Sequence, residues 1–138
     1  MKASIKTAPV GIIAVKDVVK TSKLLIAVFG WKSMHGGSDF EILMNQRNTP
    51  MLMLHEFSAH EHRRFKGIKN KSLGIGQATY VFAKDFDEVL KKVSRRKLKI
   101  VEPPFLNENS EAREFTFQIE DGYQFTVCDA DQWLYYWV

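Results

Sequence analysis

The sequence predicts an α+β fold made of two β-α-β-β-β modules. Three observations predict it. First, an apolar strand, an Asp and a helix-like stretch occur twice, as Ala14-Val15-Lys16-Asp17-Val18 and Phe82-Ala83-Lys84-Asp85-Phe86. Second, Asp17 and Asp85 lie 68 positions apart (85 − 17), about half of the 138 residues. A period this long indicates duplicated half-domain units rather than a solenoid of short repeats. Third, each helix-like stretch is followed by further strand-like runs. A fold of paired units places its expected ligand site between them.

The first strand is predicted over Pro9–Val15. Asp17 is suited to N-cap a helix from Val18, since its carboxylate can accept orphan backbone N–H bonds. Leu24, Leu25, Val28 and Phe29 supply an apolar stripe, and Gly30 fits the C′ stop, where positive φ is cheap. Trp31–His35 begins a strand, and Gly36-Gly37 is a turn. Phe40–Met44 and Met51–Phe57 are further strands, separated by Asn48-Thr49-Pro50. Residues 58–76 are polar, basic and glycine-punctuated, and are expected to connect the halves.

In the second half Ala78–Ala83 is predicted as a strand. Asp85-Phe86-Asp87-Glu88 has the form of a capping box. Phe86, Val89, Leu90 and Val93 recur at helical spacing. Leu98–Val101 is a short strand expected to end at Pro103-Pro104. Phe115–Ile119 and Tyr123–Asp129 form a hairpin across Glu120-Asp121-Gly122, whose Asp-Gly pair is a strong turn signal. The tail Trp133-Leu134-Tyr135-Tyr136-Trp137-Val138 is aromatic enough to predict packing on the domain or on a second subunit. The expected organisation is one domain over 1–138. It holds module 1 at about 8–57, a connector at 58–76, module 2 at about 77–130 and a tail at 131–138.

Strand parity separates two faces. Ile13, Val15, Leu52, Leu54, Val81, Ala83, Phe125 and Val127 share an aliphatic face suited to packing under the helices. The other face carries Val10, Ile12, Ala14, Met51, Met53, His55, Ala78, Tyr80, Phe82, Gln124, Thr126 and Cys128. Its mixed character suits the wall of a cleft better than a dry core.

Composition narrows the functional classes. Hydrophobic residues at 45% and charged residues at 26% fit an ordinary globular protein. No apolar run is long enough to span a bilayer, and no h-region precedes Pro9, so neither membrane span nor signal peptide is predicted. The single cysteine, Cys128, excludes an internal disulfide and is expected as a buried strand thiol. Together these features predict a cytoplasmic protein. The net charge of +4 is concentrated in Arg63-Arg64-Phe65-Lys66, Lys69-Asn70-Lys71, Lys91-Lys92 and Arg95-Arg96-Lys97-Leu98-Lys99. No nucleic-acid motif accompanies it, so a solvated surface or an anionic small ligand is favoured over nucleic acid.

The ordered pieces resemble the vicinal oxygen chelate superfamily, the glyoxalase, bleomycin-resistance and extradiol dioxygenase group. Val15-Lys16-Asp17, Thr21, Leu24-Leu25 and Gly30-Trp31 carry the likeness in the first half. Phe82-Ala83-Lys84-Asp85-Phe86-Asp87, Val101-Glu102-Pro103-Pro104, Arg113-Glu114-Phe115-Thr116-Phe117 and Asp121-Gly122-Tyr123-Gln124-Phe125-Thr126-Val127 carry it in the second. The likeness covers roughly residues 8–130. It departs from the family at Leu24-Leu25, at Ile119-Glu120-Asp121-Gly122 and at Lys97, where a glycine is frequent. It implies a cupped mixed sheet around a central cavity.

The resemblance further implies that metal enzymes of this kind place ligands at four strand positions, here Val10, Met53, Ala78 and Thr126. None is a normal donor for a divalent metal. Shifting the alignment by one residue reaches Gly11, Leu52, Leu54, Thr79, Phe125 and Val127, which are no better. Only Gln77 offers a nearby donor. No metal and no cofactor are therefore expected. His55, His60 and His62 with Glu56 and Glu61 could gather zinc, but their spacing matches no zinc arrangement, and a polar loop is preferred. Arg113 could meet an anionic group; a surface ion pair with Glu111 or Glu114 is preferred. No phosphate loop or nucleophile constellation is present.

The expected ligand contacts are His55, Met51, Met53, Tyr80, Phe82, Thr126, Gln124 and Ile12. His55 could orient a ligand, act as a base or be a satisfied wall residue, and the methionines and aromatics would supply an adaptable wall. The leading expectation is a metal-free, homodimeric binder of a small organic molecule, anionic or aromatic, that sequesters or senses it. The alternatives are a glyoxalase-like lyase or dioxygenase-type enzyme with an atypical site at His55, and a basic module binding polyanions.

Overall fold

A computed structural model of the chain describes residues 7–59, 65, 67, 68 and 71–130. Its elements run β1 (Ile12–Val15), α1 (Val18–Phe29), β2 (Lys32–Ser33), β3 (Phe40–Met44), β4 (Pro50–Glu56), β5 (Ala78–Phe82), α2 (Phe86–Arg95), β6 (Lys99–Asn107), β7 (Ala112–Gln118) and β8 (Gln124–Cys128). They form two four-stranded mixed sheets, ordered β1-β4-β3-β2 and β5-β8-β7-β6. In each, the first strand pairs parallel with the last, and the remaining pairs are antiparallel. The α+β class and the duplicated topology are as predicted. Contacts divide the chain into two compact units. One holds Gly30–Phe65 and the residues up to Ile26, the other Ala27–Phe29 and the residues from Lys66 onward. The connector's basic stretch, His60, His62 and the aromatic tail lie mostly or wholly outside the described residues.

In the first unit, α1 starts where Asp17 leaves the helical region at φ −135° and its Oδ1 accepts the Lys20 N–H at 2.9 Å. It stops at Gly30, whose φ of 72° lets its N–H bond the Ile26 carbonyl at 2.9 Å. Val18, Thr21, Ser22, Leu25 and Val28 are buried, at helical spacing. On the strands Ile13 pairs with Leu54, and Leu43 with Leu52, all buried. Glu41 shares that face and is only 3% exposed. Its Oε1 accepts the N–H groups of His35, Gly36 and Ile42 at 2.9, 2.9 and 2.8 Å, and its Oε2 accepts the Ser33 hydroxyl at 2.6 Å. The carboxylate thereby staples the turn between β2 and β3. Burial pushes its pKa up, but those bonds outweigh burial and leave it below the ordinary value.

The second unit is built around aromatics. Phe86 of α2 meets Phe115 of β7 edge-on at 5.4 Å, and Phe117 stacks on Phe125 at 5.5 Å. Phe29 lies 5.9 Å from Phe117 and 5.8 Å from Phe125. Phe86, Val89 and Val93 are the buried stripe of α2. Leu90, predicted with them, is half-buried.

Two local expectations need correction. The Leu98–Val101 strand does not end at the prolines: β6 runs Lys99–Asn107 straight through Pro103-Pro104. It is an edge strand, and its register shifts twice, between Ile100 and Glu102 and between Glu102 and Phe105. Bulges on an edge let residues without an N–H sit where no ladder bond is required. The capping box is not closed, because the Asp85 side chain makes no cap bond. Asp85 sits at ψ 55° rather than in the extended region that an N-capping residue usually adopts. Lys97, at the position of the frequent glycine, itself adopts a left-handed φ of 55°.

The Asp121-Gly122 turn forms as predicted, with Gly122 N–H bonding the Ile119 carbonyl at 2.9 Å and Ile119 N–H bonding the Tyr123 carbonyl at 3.0 Å. Gly122 (φ 106°) also meets Gly74 (φ 80°) backbone to backbone. A Cβ on Gly74 would run into the Gly122 carbonyl, and one on Gly122 would lie 2.7 Å from the Leu73 carbonyl oxygen. Gly74→Ala is expected to destabilise the chain by about 3 kcal/mol, from overpacking and backbone strain together. A urea-melt change below about 1 kcal/mol would contradict this close approach.

Candidate functional site

The eight predicted contact residues fall into two groups of four, one on each sheet. In the first unit Ile12 pairs with Met53, and Ala14 and Phe40 both pair with His55. Ile12, Met51 and Met53 are half-buried. His55 is 3% exposed, with its ring 6.2 Å from Phe40 and 5.5 Å from Phe65. Its Nδ1 lies 2.7 Å from the Glu56 carbonyl oxygen. A carbonyl can only accept, so Nδ1 carries the proton and the ring is fixed in orientation.

In the second unit, the face turned away from Phe115, Phe117, Phe125 and Val127 is arranged in three rungs. Ala78, Gln124 and Gln118 pair across the first; Tyr80, Thr126 and Thr116 across the second; Phe82, Cys128 and Glu114 across the third. At the first rung, residues Leu73–Gln77, Gly122 and the two glutamines enclose a depression of about 510 Å³. At the second, the Thr116 and Thr126 hydroxyls bond each other at 2.8 Å. At the third, Glu114 is 5% exposed, and its Oε1 accepts the Tyr80 hydroxyl at 3.0 Å while its Oε2 accepts Asn107 Nδ2 at 3.0 Å. Partial burial, then the bond to and charge of Glu114, push the Tyr80 phenol pKa above its ordinary value. Cys128 is buried, and burial raises its pKa, which keeps the thiol protonated and unreactive.

Sequence reasoning placed Tyr80, Phe82, Gln124 and Thr126 on one face, and they share it. It missed Gln118, Asn107 and Glu114 as members of that face. Parity along Ala112–Gln118 would have put Glu114, Thr116 and Gln118 together, but the pairing of β7 with β8 was needed to add them to the row. The preferred ion pair of Arg113 is also corrected in its partners. Its guanidinium bonds Asp87 at 3.0 Å and Asp129 at 2.9 Å and lies 4.5 Å over the Phe86 ring, instead of reaching Glu111 or Glu114. Asp129 is the favoured partner because it sits beside Arg113 across the strand pair and also accepts the Arg113 backbone N–H at 2.7 Å.

The donor set does not fit a divalent metal. Val10 is apolar and 36% exposed, Met53 offers a soft thioether, Ala78 offers nothing, and Thr126 offers only a neutral hydroxyl, already bonded to that of Thr116. Among the described residues no three His, Cys, Asp or Glu side chains come together as a metal cradle. No helix of the described residues is long and apolar enough to cross a membrane.

This architecture is the vicinal oxygen chelate fold, shared by glyoxalase, bleomycin-resistance and dioxygenase proteins. Neither protein-family models nor curated protein sequences match the chain. Solved structures do. TioX from Micromonospora sp. ML1 superposes with a TM-score of 0.65 at 16% identity, over 89% of this chain and 98% of that one. The fosfomycin resistance protein FosX from Listeria monocytogenes gives 0.64 at 15% identity, over 91% and 93%. A glyoxalase/bleomycin resistance protein/dioxygenase family enzyme from Burkholderia phytofirmans PsJN gives 0.69 at 14% identity, over 86% and 94%. These likenesses establish the fold and leave function to the residues themselves.

Proposed function

We propose that the chain binds a small organic molecule without a metal and sequesters or senses it rather than transforming it. The observation that carries this is the identity of the side chains at the four positions the family resemblance points to: Val10, which lies just before β1, and Met53, Ala78 and Thr126 on strands supply no ligand set for a Lewis acid. On the first sheet the half-buried methionines beside Ile12 offer apolar contact, and on the second sheet the three rungs by themselves offer aromatic rings together with hydrogen bonds. Such a mixture suits reversible binding. The buried and oriented His55 supports a wall role over that of a mobile base. The proposal includes a homodimer.

The test uses protein purified without added metal. Native mass spectrometry is expected to find an organic molecule retained on the chain and unchanged on incubation. Metal content should be well below one ion per chain, and the elution volume should be that of a dimer. Stoichiometric metal with turnover of a hemithioacetal or catechol would overturn the proposal, and so would the absence of any retained or bindable molecule.

A further inference from the structure

We infer that Tyr80 and Glu114 form a recognition point for an organic cation, an ammonium or guanidinium group carried by the bound molecule. The inference rests on the ligand-binding proposal above and assigns the charge of the ligand. A carboxylate taken out of water is costly unless it is hydrogen-bonded and its charge is met. Glu114 is 5% exposed, and the donors at its two oxygens, the Tyr80 hydroxyl and the Asn107 amide, are both neutral. Among the described residues no Lys, Arg or His pairs with it. The neighbouring Arg113 is committed to Asp87 and Asp129. Among the described residues the hydrogen bonds of Glu114 are thus satisfied while its charge meets no cation.

Tyr80 carries that charge to the surface. The residue is 53% exposed, and its hydroxyl proton is given to Glu114. The phenolic oxygen can then only accept from a ligand, and the carboxylate behind it makes it a stronger acceptor. A cation satisfies both demands, whereas an anion would meet an oxygen with no proton to offer and a negative charge behind it. The Phe82 ring, 6.5 Å from that of Tyr80, adds a second π surface of the kind that favours ammonium groups. The Thr116 and Thr126 hydroxyls bond each other and keep one proton free between them, but both are buried, at 6% exposure, whereas the Tyr80 oxygen stands at the surface. A carboxylate-bearing ligand, which the overall charge of +4 would admit, is disfavoured at this point.

Calorimetric titration of the full chain would compare three matched probes: 2-phenylethylammonium, 2-phenylethanol and 3-phenylpropanoate. The ammonium is expected to bind about tenfold or more tighter than the other two, the advantage of one charge-assisted hydrogen bond. Glu114→Gln should erase that preference while keeping an acceptor and donor in place. Tyr80→Phe, an exposed change that keeps the ring, should weaken ammonium binding if Glu114→Gln does not fold. Equal or tighter binding of the alcohol or carboxylate, no binding of the ammonium, or an ammonium affinity unchanged in the variants would each overturn the inference. A retained molecule without a cationic group would overturn it while leaving the ligand-binding proposal intact.

Discussion

Glu41→Ala is expected to lower stability by about 2–3 kcal/mol, because it removes the charged acceptor of three backbone N–H groups at an otherwise exposed turn. Those groups, of His35, Gly36 and Ile42, all converge on Oε1. Glu41→Gln keeps an oxygen there, and the Ser33 hydroxyl can turn to accept from the new amide. It should cost only about 1–2 kcal/mol, the loss of charge assistance. Urea melts of the two variants would check the ordering. Equal losses, or a loss below about 1 kcal/mol for the alanine, would show that the staple is dispensable. The same carboxylate predicts acid sensitivity. Its folded pKa is below the unfolded one, so its contribution is complete above the unfolded value and is lost as pH falls through the folded value. Wild-type stability should therefore decline below roughly pH 4, and Glu41→Gln should decline less.

Phe117→Ala is the second large effect, expected at about 3–5 kcal/mol from lost burial and the cavity left behind. The ring is 0% exposed and touches three others: Phe29, Phe115 and Phe125. Phe117→Leu should recover about half of that loss, since much of the volume remains. Thermal unfolding and near-ultraviolet circular dichroism would measure both. A loss below about 1 kcal/mol for the alanine would mean that the aromatic cluster repacks freely. The consequence reaches the candidate site, because Phe117 lies between Thr116 and Gln118 on β7 and backs the face that carries Glu114. A collapsed cavity behind the strand should shift the polar rungs in front of it.

Local signals were the legible ones. Asp17, Gly30 and the Asp121-Gly122 turn act through bonds to residues within four positions, so their roles could be read from spacing. The order of elements along each half followed from the duplicated pattern. Pro103-Pro104 misled because a proline ends a central strand but is tolerated on a bulged edge, and edge position is set by the sheet order. Asp85 repeated the letter of Asp17 without its geometry, since a cap depends on the backbone angles around it. The two buried carboxylates were invisible for a different reason. Glu41 and Glu114 look like ordinary strand-surface glutamates until their donors arrive, from Ser33 eight residues away and from Tyr80 thirty-four residues away.

The amino-acid order by itself determined the doubled β-α-β-β-β plan, the helix that Asp17 opens, and the donor-poor side chains at Val10, Met53, Ala78 and Thr126. These depend on residue identity and short-range spacing alone. Only the tertiary structure decided that Glu114, Tyr80 and Asn107 meet, that Arg113 binds Asp87 and Asp129, and that Glu41 holds a turn. Hydrogen bonds and ion pairs act over about 3 Å, and which side chains come that close is set by strand register across the sheet.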